Sequence, residues 1–169
     1  RLQSFAVVPL LALSGSIGAI VGQNWGARRA DRSRRAMWWS GLFCIAYGLG
    51  IAVLLYATGG WFARFFTEDP AVIEQFTRYL EISVWGYVGF GLLIVANGAL
   101  NAVDRAGFAL AQSAARVFLV MLPFGWVFRD EWGSDAIYAA ELVANLAGGL
   151  LAALIVWRVL RSGPDDGRR

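Results

Sequence analysis

The sequence predicts an all-α membrane protein, a bundle of helices that cross a bilayer, on the basis of three observations. Hydrophobic residues make up 58% of the 169 residues. Charged residues make up only 16%, against about 25% in a typical soluble domain. Charge is absent from residues 2–27, 36–63 and 82–103. Because about 20 apolar residues suffice to cross a bilayer as a helix, these windows exclude a soluble globule and a disordered chain.

The apolar windows and the turn signals between them predict five spanning helices. Their approximate bounds are residues 5–23, 37–58, 76–100, 108–128 and 134–160. Residues 1–161 then form one transmembrane unit, and residues 162–169 form a polar tail. The fourth helix contains Arg116, whose charge costs about 2.5–3.5 kcal/mol at a helix centre. Since Arg116 lies near the start of that helix, we expect its guanidinium to reach headgroups or helix ends rather than substrate.

The connection between the second and third helices is predicted to be more than a loop. Asp69 is a favourable N-cap and Pro70 a favourable first helical residue, so a short helix should begin there and lead into the third span. Aromatic side chains precede this start and are typical of an anchor at the membrane interface: Trp61, Phe62, Phe65 and Phe66.

The distribution of arginine predicts the orientation of the bundle. The connection after the first helix carries five arginines and one acid, Asp31. With five spans, Arg105 and the arginines of the tail fall on that same side, and most acids fall on the other. The positive-inside rule therefore places this side and the C-terminus in the cytoplasm, at a plasma membrane. This bias also accounts for the net charge of +3 without binding of nucleic acid.

The inventory of reactive side chains argues against an enzyme. The chain contains neither His nor Lys, and its single cysteine is Cys44. Imidazole bases, His-based metal sites and lysine Schiff bases are therefore excluded. Cys44 lies in an apolar window and is interpreted as a small buried hydrophobe. We expect no enzymatic activity, no metal site and no cofactor.

Small residues recur at four-residue spacing in three of the predicted spans, which favours close contact between helix backbones. Pro9 and Pro123 lie inside spans, where a missing backbone donor favours a kink. Such kinks occur near the binding sites of transporters, but they also occur without functional consequence. The small-residue positions are Ser14, Gly18 and Gly22; Cys44, Gly48 and Ala52; and Ala140, Ala144, Gly148 and Ala152.

Four polar residues inside the spans are candidates for a substrate or ion pathway. Glu141 lies about two turns into the fifth helix, and Asn145 follows four residues later on the same face. A carboxyl at this depth could bind a proton and a cationic substrate alternately, or could be hydrated at the interface or paired with Arg129. Asn97 and Gln112 could line the same pathway, or could form hydrogen bonds that hold helices together.

Several short motifs, taken together, resemble the multidrug and toxic-compound extrusion (MATE) family. The first closes a span and precedes the arginines. The second carries Asp69 and precedes Tyr79, and the third includes Asn97 and precedes Arg105. Pro123 also fits the family. The motifs are Gly22-Gln23-Asn24-Trp25-Gly26-Ala27, Phe66-Thr67-Glu68-Asp69-Pro70-Ala71-Val72-Ile73 and Asn97-Gly98-Ala99-Leu100-Asn101-Ala102.

This resemblance implies a twelve-helix secondary transporter of two lobes. The chain would supply the last five helices, and its partners would be the lipid bilayer, the N-terminal lobe and small organic substrates. The implied activity is export of organic, often cationic, compounds driven by inward H⁺ or Na⁺. Some members carry a cation-binding Asp in the helix that matches the third span, but residues 82–103 contain no acid. Glu141 is then the remaining candidate for ion coupling.

The sequence leaves two other functions open. A lipid-linked oligosaccharide flippase of the same superfamily would have a strongly cationic cavity, whereas the arginines here concentrate at helix ends. A membrane scaffold without transport activity would leave Glu141 and Asn145 without a role.

Overall fold

The computed structural model describes residues 2–163, with side chains from Ser4 onward, and it is all-α over that range. A 3₁₀ turn, Val84–Gly86, joins α3 to α4. A π-helical segment, Arg116–Met121, joins α5 to α6. The α-helices are α1 (Leu2–Gly26), α2 (Ala30–Phe66), α3 (Pro70–Ser83), α4 (Tyr87–Ala102), α5 (Ala106–Ala115), α6 (Leu122–Trp132) and α7 (Ser134–Ser162).

Because the joined segments run on without a loop, the described residues form five rods, as predicted. Each rod is long and apolar enough to cross a membrane, so the predicted fold class is confirmed. The third rod comprises α3 and α4, and the fourth comprises α5, the π segment and α6. The rods are Ser4–Gly26, Ala30–Phe66, Pro70–Ala102, Ala106–Trp132 and Ser134–Ser162.

The second helix is much longer than the predicted range of residues 37–58, since α2 runs from Ala30 to Phe66. Residues 30–36 contain no helix breaker, and their exposed arginines extend the helix beyond the apolar window. The pair Gly59-Gly60 does not end the helix, because Gly59 is buried against the side chain of Leu80. Hydropathy identifies only the apolar part of a helix, and α2 extends beyond its apolar window at both ends.

The start of the third rod follows the sequence prediction. Asp69 is the N-cap of α3, and its Oδ1 accepts a hydrogen bond of 2.9 Å from the amide of Ala71. Pro70 occupies the first helical position. The preceding aromatic side chains Trp61, Phe65 and Phe66 are exposed, as expected of a membrane anchor. At the other terminus α7 includes Ser162, and residues 164–169 of the predicted tail lie outside the described residues.

Helix α4 lies at the centre of the bundle, and glycine lets its neighbours approach closely. A Cβ on Gly18 of α1 would lie 3.2 Å from the carbonyl oxygen of Gly98, and one on Gly48 of α2 would lie 2.7 Å from the Cα of Val88. The backbones of Gly89 and Gly149 meet where α4 crosses α7. The small-residue stripes of α1 and α2 therefore lie against the same central helix.

The arginine-rich segments lie at one end of the bundle. Ser33 at the start of α2 donates a hydrogen bond of 3.2 Å to the carbonyl of Val21 near the end of α1. Gly22 lies against Ala102 at the end of α4. Arg34 and Leu160 line one apolar groove, which brings the end of α7 to the same side. The other end is marked by an ion pair of 2.8 Å between Arg78 and Asp135.

Candidate substrate cavity

The fourth rod changes its helical period directly before Pro123. Proline has no backbone donor for the preceding turn, and from Arg116 to Met121 the backbone adopts the wider π-helical form. The amide of Leu122 bonds to the carbonyl of Val117, five residues back. Such π segments occur frequently at functional sites. This one begins at Arg116, which is the only charged residue between positions 106 and 128.

Arg116 points into the bundle, so the prediction that it reaches headgroups is wrong. Its Nη1 donates a hydrogen bond to Oδ1 of Asn145 on α7. Its Cζ lies 5.4 Å from the centre of the Phe90 ring, in cation–π geometry. Its aliphatic stem lies on Gly148, where a Cβ would come within 2.9 Å of Cγ. The absence of a side chain at Gly148 makes the room that an inward arginine needs.

The guanidinium of Arg116 retains hydrogen-bonding capacity. Its Nε is buried and has no hydrogen-bond partner among the described residues. The ion pairs within residues 4–163 join other arginines to acids, and none of them includes Arg116. An ionised group in an apolar bundle without a counter-ion is costly, so the guanidinium as a whole is suited to a ligand.

Glu141 lies on α7, one helical turn before Asn145. It is half-buried, and its Oε2 accepts a hydrogen bond of 3.1 Å from the hydroxyl of Tyr79. The Tyr79 ring packs edge-on against Tyr138, with ring centres 5.2 Å apart. Arg129, the partner considered from sequence, pairs with Asp130 at 3.1 Å. Glu141 is thus held by an aromatic hydroxyl within the bundle.

These groups line a cavity of about 310 Å³. The cavity combines a cation, a carboxyl, an amide and an aromatic face, which are the groups that orient a small ligand in a mostly apolar pocket. Sequence reasoning found Glu141 and Asn145 but missed Arg116, although an arginine inside an apolar span is a signal of function. The lining residues are Ser4, Val7, Ser83, Tyr87, Phe90, Arg116, Glu141 and Asn145.

Asn97 and Gln112 belong to a second polar cluster, outside the residues that line this cavity. The Gln112 side-chain amide donates to Oδ1 of Asn97 at 2.6 Å, and Asn97 donates to the hydroxyl of Ser113 at 3.0 Å. Gln112 is only 1% exposed. These bonds join α4 to α5, which favours the packing interpretation of both residues over the pathway interpretation.

The residues of the three sequence motifs lie at turns and helix contacts. Gly22 and Gly98 lie in the α1–α4 contact, and Asn24 donates a hydrogen bond of 2.8 Å to the carbonyl of Ile20 in its own helix. Arg105 precedes α5, and its amide bonds to the Leu100 carbonyl at 2.9 Å. Gln23, Gly26 and Ala27 are exposed. Over residues 2–163 no group of three or more His, Cys, Asp or Glu side chains could hold a metal ion.

Five membrane-length helices, four of which line a polar cavity, define a multi-pass membrane protein. The comparison with known families agrees. The family described as MatE matches residues 1–127 of the 169. The chain therefore belongs to the MatE family of multi-pass membrane transporters.

Curated relatives extend this similarity over nearly the whole chain. A protein of Shewanella oneidensis named FAD transporter is 28% identical over 94% of this chain and 35% of its own length. A probable multidrug resistance protein NorM of Caulobacter vibrioides is 28% identical over 90% of this chain and 33% of its own length. The chain thus spans about a third of the length of these relatives, and they are transporters rather than enzymes.

Solved structures share the fold. The Vibrio cholerae MATE transporter VcmN, in its bent form, superposes with a TM-score of 0.88 at 26% identity, over 94% of this chain and 36% of that one. An inward-facing MATE family transporter of the MOP superfamily superposes with a TM-score of 0.89 at 12% identity. The second likeness concerns the fold alone.

Proposed function

We propose that the protein exports small organic compounds by secondary active transport, driven by inward movement of H⁺ or Na⁺. The chain would form part of the C-terminal lobe of a two-lobe transporter, with its arginine-rich end and C-terminus in the cytoplasm. The observation that carries this proposal is the polar cavity between α1, α4, α7 and the π segment, in a member of a transporter family. Alternating access would open such a cavity to each side in turn.

Glu141 is the proposed coupling group. It is the one carboxyl among the side chains that line the cavity, and a hydroxyl from Tyr79 orients it. A proton or Na⁺ bound there would compete with a cationic substrate for the same charge. Such competition is the basis of antiport, because each ligand favours the conformational state to which it binds more tightly.

Transport of an anionic nucleotide is a second candidate. It is supported by the inward guanidinium of Arg116 and by the name of the FAD transporter of Shewanella oneidensis. The same arginine weakens the sequence argument against a lipid-linked oligosaccharide flippase, which was that the arginines concentrate at helix ends. A scaffold without transport activity is the least favoured alternative, since it gives no reason to place Glu141, Arg116 and Asn145 around one cavity.

The test is efflux from cells that lack their own pumps and express the gene for this chain at its full length. We expect ion-driven export of ethidium or norfloxacin by the wild-type protein, and its loss in the Glu141→Gln variant. Glu131→Gln is the matched control, because Glu131 is exposed near the end of α6. FAD export should be measured beside the cationic dye to separate the two candidates.

The outcomes distinguish the parts of the proposal. Efflux that both variants retain in full would remove Glu141 from coupling. A well-folded protein that exports neither dye, drug nor FAD would favour the flippase or the scaffold. Export that persists after the H⁺ and Na⁺ gradients are abolished would contradict secondary transport altogether.

A further inference from the structure

The cavity carries two opposite charges on walls supplied by different rods. Arg116 enters from the π segment and bonds to Asn145, and Glu141 lies four residues before Asn145 on α7. At a rise of 1.5 Å per residue, Glu141 and Asn145 are separated by about 6 Å along the helix. Within residues 4–163 no ion pair joins Arg116 to an acid.

From this arrangement we infer that the cavity binds a zwitterionic ligand, whose carboxylate or other planar oxyanion binds Arg116 and whose cationic amine binds Glu141. The inference rests on the proposed transport function and specifies its substrate class. The ligand would carry its two charges on separate ends of an apolar body rather than on adjacent atoms.

The geometry of Arg116 suits an oxyanion. A guanidinium presents donors in a fixed plane that matches a carboxylate, and of these donors Nη1 bonds to Asn145. Gly148 supports the stem and Phe90 lies under the guanidinium, so the group is held in place before a ligand arrives. Preorganisation of this kind lowers the entropic cost of binding.

The cationic amine of the ligand explains how substrate binding and ion coupling use the same cavity. An amine that binds Glu141 competes with H⁺ or Na⁺ for that carboxyl. An anion alone would instead be favoured by cation binding at Glu141, since the cation adds positive charge to the same low-dielectric space. A zwitterion anchored at Arg116 therefore remains compatible with exchange for the coupling ion.

The experiment uses three fluorescent probes with a common ring system. Norfloxacin carries a carboxylate and a piperazinium, its methyl ester keeps only the cation, and its N-acetyl derivative keeps only the anion. Binding to the purified full-length protein is measured by titration of probe fluorescence. Because a hydrogen bond to a charged group is worth about 1.5–3 kcal/mol, masking either charge should weaken binding by roughly 10- to 100-fold.

The variants then assign each charge to its residue. Arg116→Met should weaken norfloxacin and the N-acetyl derivative by roughly 10- to 100-fold and should not weaken the methyl ester. Glu141→Gln should weaken norfloxacin and the methyl ester. It should not weaken the N-acetyl derivative, since loss of a negative charge favours an anion in the same cavity. Arg129→Met is the matched control, because Arg129 is exposed on the same rod and should change none of the three.

Two results would overturn the inference. One is an equal loss of binding of all three probes in Arg116→Met, together with equal recovery of all three in Arg116→Lys. That result would indicate that Arg116 has a packing role. The other is wild-type binding that does not distinguish norfloxacin from its masked forms. If ethidium efflux persists in either case, the zwitterion inference fails and the proposed export function stands. If the wild-type protein exports nothing, the function itself fails.

Discussion

The third and fourth rods are both membrane-length helices with an irregular turn, yet they differ in how they are packed. In the most apolar stretch of the third rod 56% of the residues are buried, against 11% in that of the fourth. Helix α4 contacts α1, α2 and α7 through glycine, whereas neither the π segment nor α6 has a buried residue. The third rod is thus the most buried of the five, and the fourth is the least buried.

This difference indicates where the bundle can change shape. Regions with few buried apolar contacts open at the lowest free-energy cost, and the most apolar stretch of the fourth rod has the smallest buried share of the five. The same rod carries Arg116 into the cavity at the start of its π segment. We therefore expect substitutions in the third rod to affect folding and substitutions in the fourth to affect transport.

The largest effect should come from filling the contact between α4 and α7. A Cβ on Gly89 would lie 2.6 Å from the carbonyl carbon of Asn145 and 2.7 Å from the Cα of Leu146. Gly89→Val must therefore push two backbones apart, and we expect loss of about 3 kcal/mol or more of stability. Thermal unfolding of the detergent-solubilised protein measures this loss.

The control is Gly50→Val in α2, where a Cβ would have no neighbour within 4 Å. It should lower stability by less than about 1 kcal/mol. If both variants unfold at the wild-type temperature, the α4–α7 contact is not the tight crossing described above.

An intermediate effect, on transport rather than stability, is expected of Pro123→Ala. The new backbone donor allows regular α-helical bonding through the π segment, which would turn Arg116 away from Asn145. We expect substrate efflux to fall several-fold while stability changes by no more than about 1 kcal/mol. Efflux and thermal unfolding are measured on the same variant.

Pro9→Ala provides the comparison, because α1 is α-helical on both sides of Pro9 and has no π segment. Its efflux should remain near that of the wild type. The opposite ranking of the two proline variants would mean that the fourth rod is not the element that changes shape.

The smallest effect should follow from removing the hydrogen bond between Asn97 and Gln112, which joins the third rod to the fourth. Asn97→Leu deprives the side chain of Gln112 of its acceptor at 2.6 Å. Hydrogen bonds between membrane helices are worth about 0.6–2 kcal/mol, so a modest fall in the unfolding temperature is expected. Asn24→Leu is the control, since Asn24 bonds only within its own helix; an equal fall in both variants would argue against the α4–α5 bond as the cause.

Local sequence signals predicted the helices well where the cause is local. Apolar windows identified all five rods, since each window must be long enough for hydrocarbon. Asp69 and Pro70 predicted the start of α3, because a cap and a first-turn proline act on the neighbouring amides alone. The length of α2 was underestimated, because its ends beyond the apolar window depend on the helix propensity of polar residues. Hydropathy does not report that propensity.

The candidate site was only half predicted. Glu141 and Asn145 were found because a polar residue within an apolar window is visible in sequence. The direction of Arg116 was wrong, since it depends on Gly148 and Phe90, which lie 32 and 26 residues away in the chain. Asn97 and Gln112 were predicted as candidates but lie outside the cavity lining, and their hydrogen bond to each other depends on how α4 meets α5.

The sequence by itself determined the number of membrane rods, the cap that begins the third rod and the segregation of arginine at alternate connections, because hydropathy, capping and charge act over neighbouring residues. Only the tertiary structure decided which helix is central, which glycines are contact points and which polar groups share a cavity. Those properties arise where backbones from distant parts of the chain approach within van der Waals distance. At Gly148 the absence of one side chain gives Arg116 the space to face inward.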